Sequence, residues 1–199
     1  MRAGITSSSD IAPLKKFLQQ QCKRSEKEWQ IIKDFFTPEQ FLKNEYFIKE
    51  GKICRKMAFV AKGVMRYCMY HADGTEATCF FMCDNDFVGD PDSYFEQKPS
   101  AMNVQALTNC ELFTISFENM QQLFQHFDRA KEITAAIDHY VMKKMLHQRT
   151  FLLNLDAAVR YKEFMRSYPH ILQSVPLSFV ANFLGITQQS LSRLRKSLS

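Results

Sequence analysis

The sequence predicts an α+β chain in which a β-rich region precedes a long helix and a small all-α region. Three observations lead to this prediction. Residues 40–115 form short β-rich runs cut by glycines and polar turns, residues 128–155 carry the longest helical periodicity, and residues 175–199 have the pattern of two short helices joined by a tight turn.

The N-terminal segment from Ile11 to Phe36 is rich in helix formers, and its apolar residues recur at helical spacing. Ser25 is a plausible N-cap because its hydroxyl can accept a hydrogen bond from the first turn that follows. Pro38 ends the helical pattern. We expect one or two helices that close on the β-rich region.

The β-rich region contains many short strands with turn signals, which predicts a sandwich or a barrel. Asp73-Gly74 is the strongest hairpin signal, and Gly51 and Gly63 fall at turns. The run 45–49 is expected to be an exposed edge or loop. Ser116 is a predicted N-cap for a helix that ends near residues 126–127.

The long helical pattern carries an apolar stripe at intervals of three and four residues. Two interpretations remain open: the stripe packs on the β-rich region alone, or it pairs with the same helix of a second subunit. Because the stripe is longer than one small domain usually needs, we predict a symmetric dimer. The predicted seam consists of Ile133, Ile137, Val141, Met145 and Leu152; the stripe is broken at Gln148 and continues to Leu155.

The C-terminal pattern predicts a helix over residues 177–184, a turn at Gly185 and a second helix capped by Thr187. Polar residues on the second helix match the chemistry of DNA base edges, since Gln pairs with adenine, Arg with guanine, and Ser or Thr with phosphate. A solvated amphipathic hairpin is the alternative. The predicted DNA contacts are Ser178, Thr187, Gln188, Gln189, Ser192, Arg193, Arg195 and Lys196.

Charge is unevenly distributed along the chain. The 199 residues have a net charge of +5 and 46% hydrophobic content, which predicts a packed core. From Phe164 onward the sequence contains no Asp or Glu, so Arg166 and the three basic residues of the last helix are unopposed locally. This suits a polyanion such as DNA. No apolar run reaches the length of a membrane span and no signal peptide is evident, so we expect a cytoplasmic protein without a membrane partner.

Cysteines and histidines show no metal-site spacing. The six cysteines lack CxxC pairs, and Cys22 alone offers no cluster near the N-terminus. Cys79 and Cys83 share strand parity and could face one side of a sheet, where a role as small hydrophobes is favoured over metal binding or redox sensing. His139 and His147 lie two helical turns apart, which favours solvated or capping roles.

The order of these elements resembles the Crp/Fnr family of bacterial transcription regulators over nearly the whole chain. The resemblance is carried by Gly51, Gly63, Asp73-Gly74, the run DFVG at 86–89, Thr108, Cys110-Glu111 and the terminal ANFLGITQQSLSRLRK. It implies a jelly-roll-like β-roll sensor domain at 1–127, a dimerisation helix at 128–155 and a helix-turn-helix domain at 156–199. The sequence ends five residues after Leu194, so we expect no β-hairpin wing after the recognition helix.

The family's nucleotide-binding members carry Gly-Glu and, after a loop, Arg-Ser/Thr-Ala. The matching positions here are Gly89-Asp90 and Ser100-Ala101-Met102, so the arginine that would neutralise a cyclic phosphate is missing. Lys98 is the nearest possible substitute. We therefore expect no cofactor and no response to cyclic AMP, with any effector apolar and uncharged. The ligand pocket implied by the resemblance contains Phe80, Met82, Gly89, Asp90, Lys98, Ser100, Ala101 and Met145.

The predicted function is a dimeric, sequence-specific DNA-binding regulator. Its implied partners are double-stranded DNA, a second copy of the chain and RNA polymerase. An enzyme is not expected, because the sequence has no GxSxG, HExxH or phosphate-cradling glycine loop. The alternative is a ligand-sensing or protein-interaction module that keeps the fold without regulated DNA binding.

Overall fold

A computed structural model describes residues 10–21, 25–154 and 156–198. The chain begins with two helices, α1 (Ala12–Gln21) and α2 (Glu26–Ile32), followed by a 3-10 turn (Lys33–Phe35). The predicted cap at Ser25 is confirmed: its side chain accepts from the Glu28 backbone while the Glu28 carboxylate accepts from the Ser25 backbone. Leu14, Phe17 and Leu18 of α1 are buried against the β-rich region.

The β-rich region is a roll of two four-stranded antiparallel sheets. The strands are β1 (Thr37–Phe41), β2 (Tyr46–Ile48), β3 (Lys56–Lys62), β4 (Met65–Tyr70), β5 (Glu76–Met82), β6 (Asp86–Val88), β7 (Asn103–Ala106) and β8 (Cys110–Ser116). One sheet has the order β1-β8-β3-β6 and the other β2-β7-β4-β5. The run 45–49, predicted to be an exposed edge or loop, contains β2, in which Ile48 is buried and Tyr46 and Phe47 are partly buried, so the predicted exposure is wrong. Strand β2 does lie at one end of its sheet. At the other end lies β5.

The turn between β3 and β4 needs glycine for two reasons. Gly63 has φ 115°, and a Cβ there would lie 2.6 Å from Cys110 Sγ and 2.9 Å from the Asn109 carbonyl oxygen. The predicted hairpin at Asp73-Gly74 joins β4 and β5, with the Asp73 carboxylate accepting from the Thr75 backbone at 2.9 Å.

Strand β5 contains a β-bulge that changes which side chains share a face. Tyr67 pairs with Phe80 and Cys68 pairs with Thr78, which leaves Cys79 as the extra residue. Cys79 packs against the core inside the roll, whereas Cys83 belongs to a second cluster on the other side. The expectation that Cys79 and Cys83 share a face is therefore wrong, because the bulge shifts the strand's parity.

The helices after the roll are α4 (Phe117–His126), α5 (Ala130–Asn154), α6 (Ala157–Ser167), α7 (Pro169–Ser174), α8 (Leu177–Phe183) and α9 (Gln188–Leu198), and α3 (Pro91–Glu96) connects β6 to β7. The predicted α+β architecture, with a β-roll, a long helix and C-terminal helices, is confirmed. The predicted N-cap at Ser116 is confirmed as well, since its hydroxyl accepts from the Asn119 backbone at 3.1 Å. Two short helices, α3 and α7, were not predicted, and both have proline at their first turn.

Two hydrophobic clusters hold the chain together. The first fills the roll and includes residues of α1, α2, α4 and the start of α5. The second joins Val64, Phe81, Cys83 and Leu107 of the roll to buried residues of α6–α9. The C-terminal helices are thus packed directly on the roll. Among the described residues, no helix is both long and apolar enough to cross a bilayer.

Candidate nucleic-acid interface and sensor pocket

The C-terminal hairpin consists of α8 and α9 joined by a turn at Gly185, which has φ 66°. The Ile186 backbone N–H donates to the Ala181 carbonyl at 3.0 Å and closes the turn. Thr187 is the N-cap of α9, as predicted, because its Oγ1 accepts from the Ser190 backbone at 3.1 Å. Buried Val180 and Leu191 hold the two helices against the second cluster.

The polar face of this hairpin points to solvent. All the predicted DNA contacts are exposed, which places the following residues at the surface: Ser178, Thr187, Gln188, Gln189, Ser192, Arg193, Arg195 and Lys196. Leu191 and Leu194 lie on the opposite, packed side of α9. The last turn of α9 is basic, and neither α8 nor α9 carries an acidic residue. The arrangement therefore offers hydrogen-bonding groups and positive charge on one open face.

The predicted seam of the long helix α5 lies mostly against the chain's own core. Ile133 is buried, while Ile137, Val141 and Met145 are partly buried against the first cluster. Leu152 packs against the second cluster. These positions support the alternative that the periodicity had left open, in which the stripe covers the chain's own roll. Leu155, at the end of the stripe, lies outside the described residues.

A different face of α5 is apolar and exposed. Met142, Leu146 and Leu153 are 67%, 65% and 74% exposed and are spaced by four and seven residues. Since α5 is apolar on two sides, periodicity alone did not show which side the roll covers. This second apolar face is exposed and is therefore available to another molecule.

Gln148, where the apolar stripe is interrupted, is fully buried. Its side-chain amide is paired with the backbone of β5, so the interruption marks a specific polar contact. The periodicity of α5 shows this interruption but does not indicate its role. The contacts of Asn182 and Arg66 between the hairpin and the roll were missed entirely, because no local pattern indicates which distant group an exposed amide or a strand arginine meets.

Around Gly89, the predicted sensor-pocket residues form hydrogen bonds within the chain. The Tyr67 hydroxyl donates to the Gly89 carbonyl at 2.8 Å and accepts from the Gly89 N–H at 2.9 Å. Burial raises the pKa of Tyr67, so this hydroxyl keeps its proton. Asp90 is the N-cap of α3 and accepts from the Ser93 backbone at 3.1 Å.

The other predicted pocket residues are divided between the core and the surface. Phe80 and Met145 are partly buried against the first cluster, and Met82 is buried. The Ser100 hydroxyl is buried and engaged with Met102, donating to its carbonyl at 3.1 Å and accepting from its N–H at 3.2 Å. The remaining two, Lys98 and Ala101, are exposed.

A small open pocket of about 280 Å³ lies elsewhere on the roll, between β1, β2 and the start of β3. A salt bridge of 2.5 Å between Lys56 and Glu39 forms part of its wall. None of the predicted pocket residues lines it. The pocket nevertheless adjoins the helix that follows Gly89, because the backbone N–H of its lining residue Cys54 donates to Ser93 Oγ of α3 at 2.9 Å.

The described residues contain no group of three or more His, Cys, Asp or Glu side chains able to hold a metal ion. His139 and His147 are both exposed. Burial raises the pKa of Cys83 to about 12 and that of Cys68 to about 11, so these thiols remain protonated at neutral pH. Cys22, the one cysteine near the N-terminus, falls outside the described residues.

Comparison with known proteins identifies the roll. Residues 38–127 match the sequence profile of the cyclic nucleotide-binding domain family. The search of curated proteins returned no match.

Solved structures match nearly the whole chain. The CLP global regulator of Xanthomonas campestris, described as responsive to c-di-GMP, is 20% identical, with 87% of this chain and 91% of that chain covered and a TM-score of 0.65. A protein from Eubacterium rectale, named as a transcriptional regulator of the Crp/Fnr family, is 14% identical, with 92% and 87% covered and a TM-score of 0.68. FixK2 from Bradyrhizobium japonicum is 14% identical, with 82% and 84% covered and a TM-score of 0.67. The resemblance to Crp/Fnr proteins is thus confirmed, and at these identities it establishes the fold.

The residues around Gly89 do not fit the anionic ligand that the domain family implies. The Gly89 N–H and the Ser100 hydroxyl, which could face a phosphate, are already engaged within the chain. The nearest predicted cation, Lys98, is paired with Glu96 at 2.7 Å at the surface. Asp90 and Asp92 add negative charge at the start of α3. A cyclic phosphate placed here would meet carboxylates, and Lys98 could neutralise it only by leaving Glu96.

Proposed function

We propose that this chain, which has the fold of the Crp/Fnr transcription regulators, is a dimeric sequence-specific DNA-binding regulator. The observation that carries the proposal is the open face of α9. Its polar and basic side chains are exposed together on a helix capped at Thr187, with no acidic residue on either helix of the hairpin. A second helix that presents such a face after a tight turn suits the major groove.

Base reading is assigned to the first two turns of α9. Gln188 and Gln189 can form bidentate contacts with adenine, and Arg193, one turn further, can do so with guanine. Ser178 on α8 and Thr187 at the turn are assigned to phosphates, which fix the register of the helix on the duplex.

The other polar residues of α9 supply hydrogen bonds and charge. Ser192 lies on the same exposed face, and Arg195 and Lys196 occupy the basic last turn. Positive charge near the phosphate backbone adds affinity that does not depend on sequence and that decreases with salt.

Dimerisation is assigned to α5. Met142, Leu146 and Leu153 form an exposed apolar stripe that a second copy of the same helix would cover. Two hairpins related by a twofold axis would then read two half-sites about one helical turn apart.

Cyclic AMP is not proposed as the effector, because the region around Gly89 does not fit an anion. Phe80, Met82 and Met145 offer apolar contacts near β5. We therefore assign any effector of the roll to the uncharged, apolar class.

Selection of bound sequences from a random pool of duplex DNA tests the function. We expect the wild-type chain to enrich a two-part sequence with a fixed spacing, and the Gln189→Ala/Arg193→Ala variant to lose the enrichment. A control with Leu42→Ala changes a 60% exposed apolar residue of the roll and should select the same sequence as wild type. A wild-type chain that retains no preferred sequence would contradict the proposal and favour the interaction-module alternative.

A further inference from the structure

Strand β5 is the last strand of its sheet, so its outer edge has no strand partner in the part of the chain that the structure describes. An uncovered edge presents unpaired backbone N–H and C=O groups. Here that edge is occupied by two side-chain amides from different helices. An amide carries both a donor and an acceptor, so it can pair with a strand edge much as another backbone would.

Asn182, in the last turn of α8, pairs with the beginning of β5. Its Nδ2 donates to the Glu76 carbonyl at 2.7 Å, and its Oδ1 accepts from the Thr78 N–H at 2.5 Å. The side chain of Asn182 lies at the surface, so these bonds form at the rim of the contact between the hairpin and the roll.

Gln148 of α5 pairs with the end of the same strand. Its Nε2 donates to the Phe81 carbonyl at 2.8 Å, and its Oε1 accepts from the Phe81 N–H at 3.1 Å. Gln148 is fully buried, so both bonds are shielded from water.

Aromatic contacts support this arrangement from the outer face of β5. The Phe81 ring lies 5.1 Å from the Phe183 ring of α8 and 5.9 Å from the Phe164 ring of α6, measured between centroids, and both contacts are edge-to-face. The neighbouring residues Phe80 and Met82 face the interior of the roll. One strand therefore contacts the core with one face and the C-terminal helices with the other.

We infer that Asn182 and Gln148 are positioning residues that clamp α8 and α5 to β5 and so fix the recognition helix relative to the dimerisation helix. The inference rests on the proposed function. In a dimer joined along α5, this connection sets the distance between the two recognition helices. The clamp therefore makes DNA binding strict about the spacing of the two half-sites. The exposed face of α9 stays open in the clamped arrangement, so the clamp orients the hairpin without covering it.

The spacing dependence of DNA binding tests this role. A duplex whose half-sites are one or two base pairs closer or further apart than in the selected sequence requires the hairpin to swing, which breaks the Asn182 bonds. One net hydrogen bond is worth a factor of about five in an equilibrium constant. Asn182→Ala should therefore lower the discrimination between the selected and altered spacings by roughly tenfold or more.

The matched control is Gln173→Ala, which truncates an exposed amide on α7. Its spacing preference should equal that of wild type. A uniform loss of affinity for all spacings in Asn182→Ala, with discrimination unchanged, would mean that Asn182 only stabilises the fold, and it would overturn the inference.

Amide hydrogen exchange, followed by NMR in the DNA-free protein, tests the clamp independently. In Asn182→Ala the Thr78 amide should exchange about fivefold faster, while the Phe81 amide, held by Gln148, should keep its rate. Unchanged Thr78 exchange would show that the clamp does not form in solution. If Thr78 responds but wild type selects no DNA sequence, the proposed function and the spacing role both fail, and the clamp remains as a structural contact only.

Discussion

The guanidinium carbon of Arg66 lies 3.8 Å from the centroid of the Phe179 ring. Arg66, on β4, is only 2% exposed. It is paired with Glu76 of β5, whose two carboxylate oxygens lie 2.6 and 2.7 Å from the terminal nitrogens of Arg66. Gln105 accepts further hydrogen bonds from the same group at 2.8 and 3.1 Å. The ion-paired guanidinium of Arg66 in the roll thus packs against Phe179 of α8, the first helix of the hairpin.

We expect Phe179→Ala to weaken the attachment of the hairpin to the roll. The variant loses the cation–π contact and part of the apolar cover over Arg66, which together should lower the free energy of unfolding by about 1 to 3 kcal/mol. Urea denaturation at a fixed protein concentration measures the change. Leu42→Ala, at an exposed site of the roll, is the control, and equal losses in the two variants would contradict the assigned contact.

Association of the chain should depend on the exposed face of α5. Leu146→Glu would place a charge at the centre of the proposed seam, and the cost of burying it should weaken the dimer by roughly 100-fold or more. Sedimentation equilibrium at micromolar concentration measures this, with Leu42→Glu as a control of equal chemistry. A wild-type monomer under these conditions would refute the dimer.

A charge at Val141 tests the seam predicted from the sequence. Because Val141 packs partly against the chain's own core, Val141→Glu should reduce the stability of the folded subunit as well as its association. Thermal unfolding and sedimentation of the same sample distinguish the two effects. Reduced association with unchanged unfolding temperature would instead place Val141 in the subunit interface.

Arg193 and Lys196 should affect DNA binding in different ways. Arg193→Ala should lose about 1 to 3 kcal/mol on the selected sequence and relax the preference at one base pair, because a bidentate guanine contact is removed. Lys196→Ala should weaken all sequences alike and reduce the salt dependence by about one charge. Fluorescence anisotropy on specific and non-specific duplexes, over a range of salt, separates the two. Equal losses on both duplexes for both variants would reassign Arg193 to a phosphate.

Cyclic AMP should give no calorimetric signal of micromolar binding. The candidate donors near Gly89 are engaged within the chain and Lys98 is paired with Glu96. Lys98→Ala should leave the titration unchanged. Micromolar binding by wild type that disappears in Lys98→Ala would show that this lysine leaves Glu96 to neutralise the phosphate.

Alkaline pH should destabilise the protein through Cys83. Burial raises the pKa of this thiol from 9.0 to about 12 in the folded state. Its contribution to stability is thus complete below about pH 9 and is lost as pH rises toward 12, because the unfolded chain ionises first. Relative to Cys83→Ala, wild type should lose roughly 2 kcal/mol between pH 8 and 10.5, measured by urea denaturation under reducing conditions. If the free energies of unfolding of wild type and Cys83→Ala changed equally with pH, the assigned role of Cys83 would be contradicted.

The amino-acid sequence by itself determined the local features of this protein. The caps at Ser25, Ser116 and Thr187 each depend on a contact with a residue three positions away, so a short stretch of sequence contains all that is needed. The order of roll, long helix and terminal hairpin followed from periodicity and turn signals for the same reason. The short helices α3 and α7 were not predicted, although each begins at a proline, which suits the first turn of a helix.

Only the tertiary structure decided which surfaces meet. Helix α5 is apolar on two sides. Strands that are distant from α5 in the sequence pack against one side and leave Met142, Leu146 and Leu153, on the other side, exposed. The bulge at Cys79 changes the parity of β5 through its pairing with β4, which the residues of β5 alone do not specify. The side-chain amides of Gln148 and Asn182 form hydrogen bonds with the edge of β5, although they are 67 and 104 to 106 residues away from it in the sequence. Contacts over such separations depend on how complete elements pack, so no local pattern encodes them.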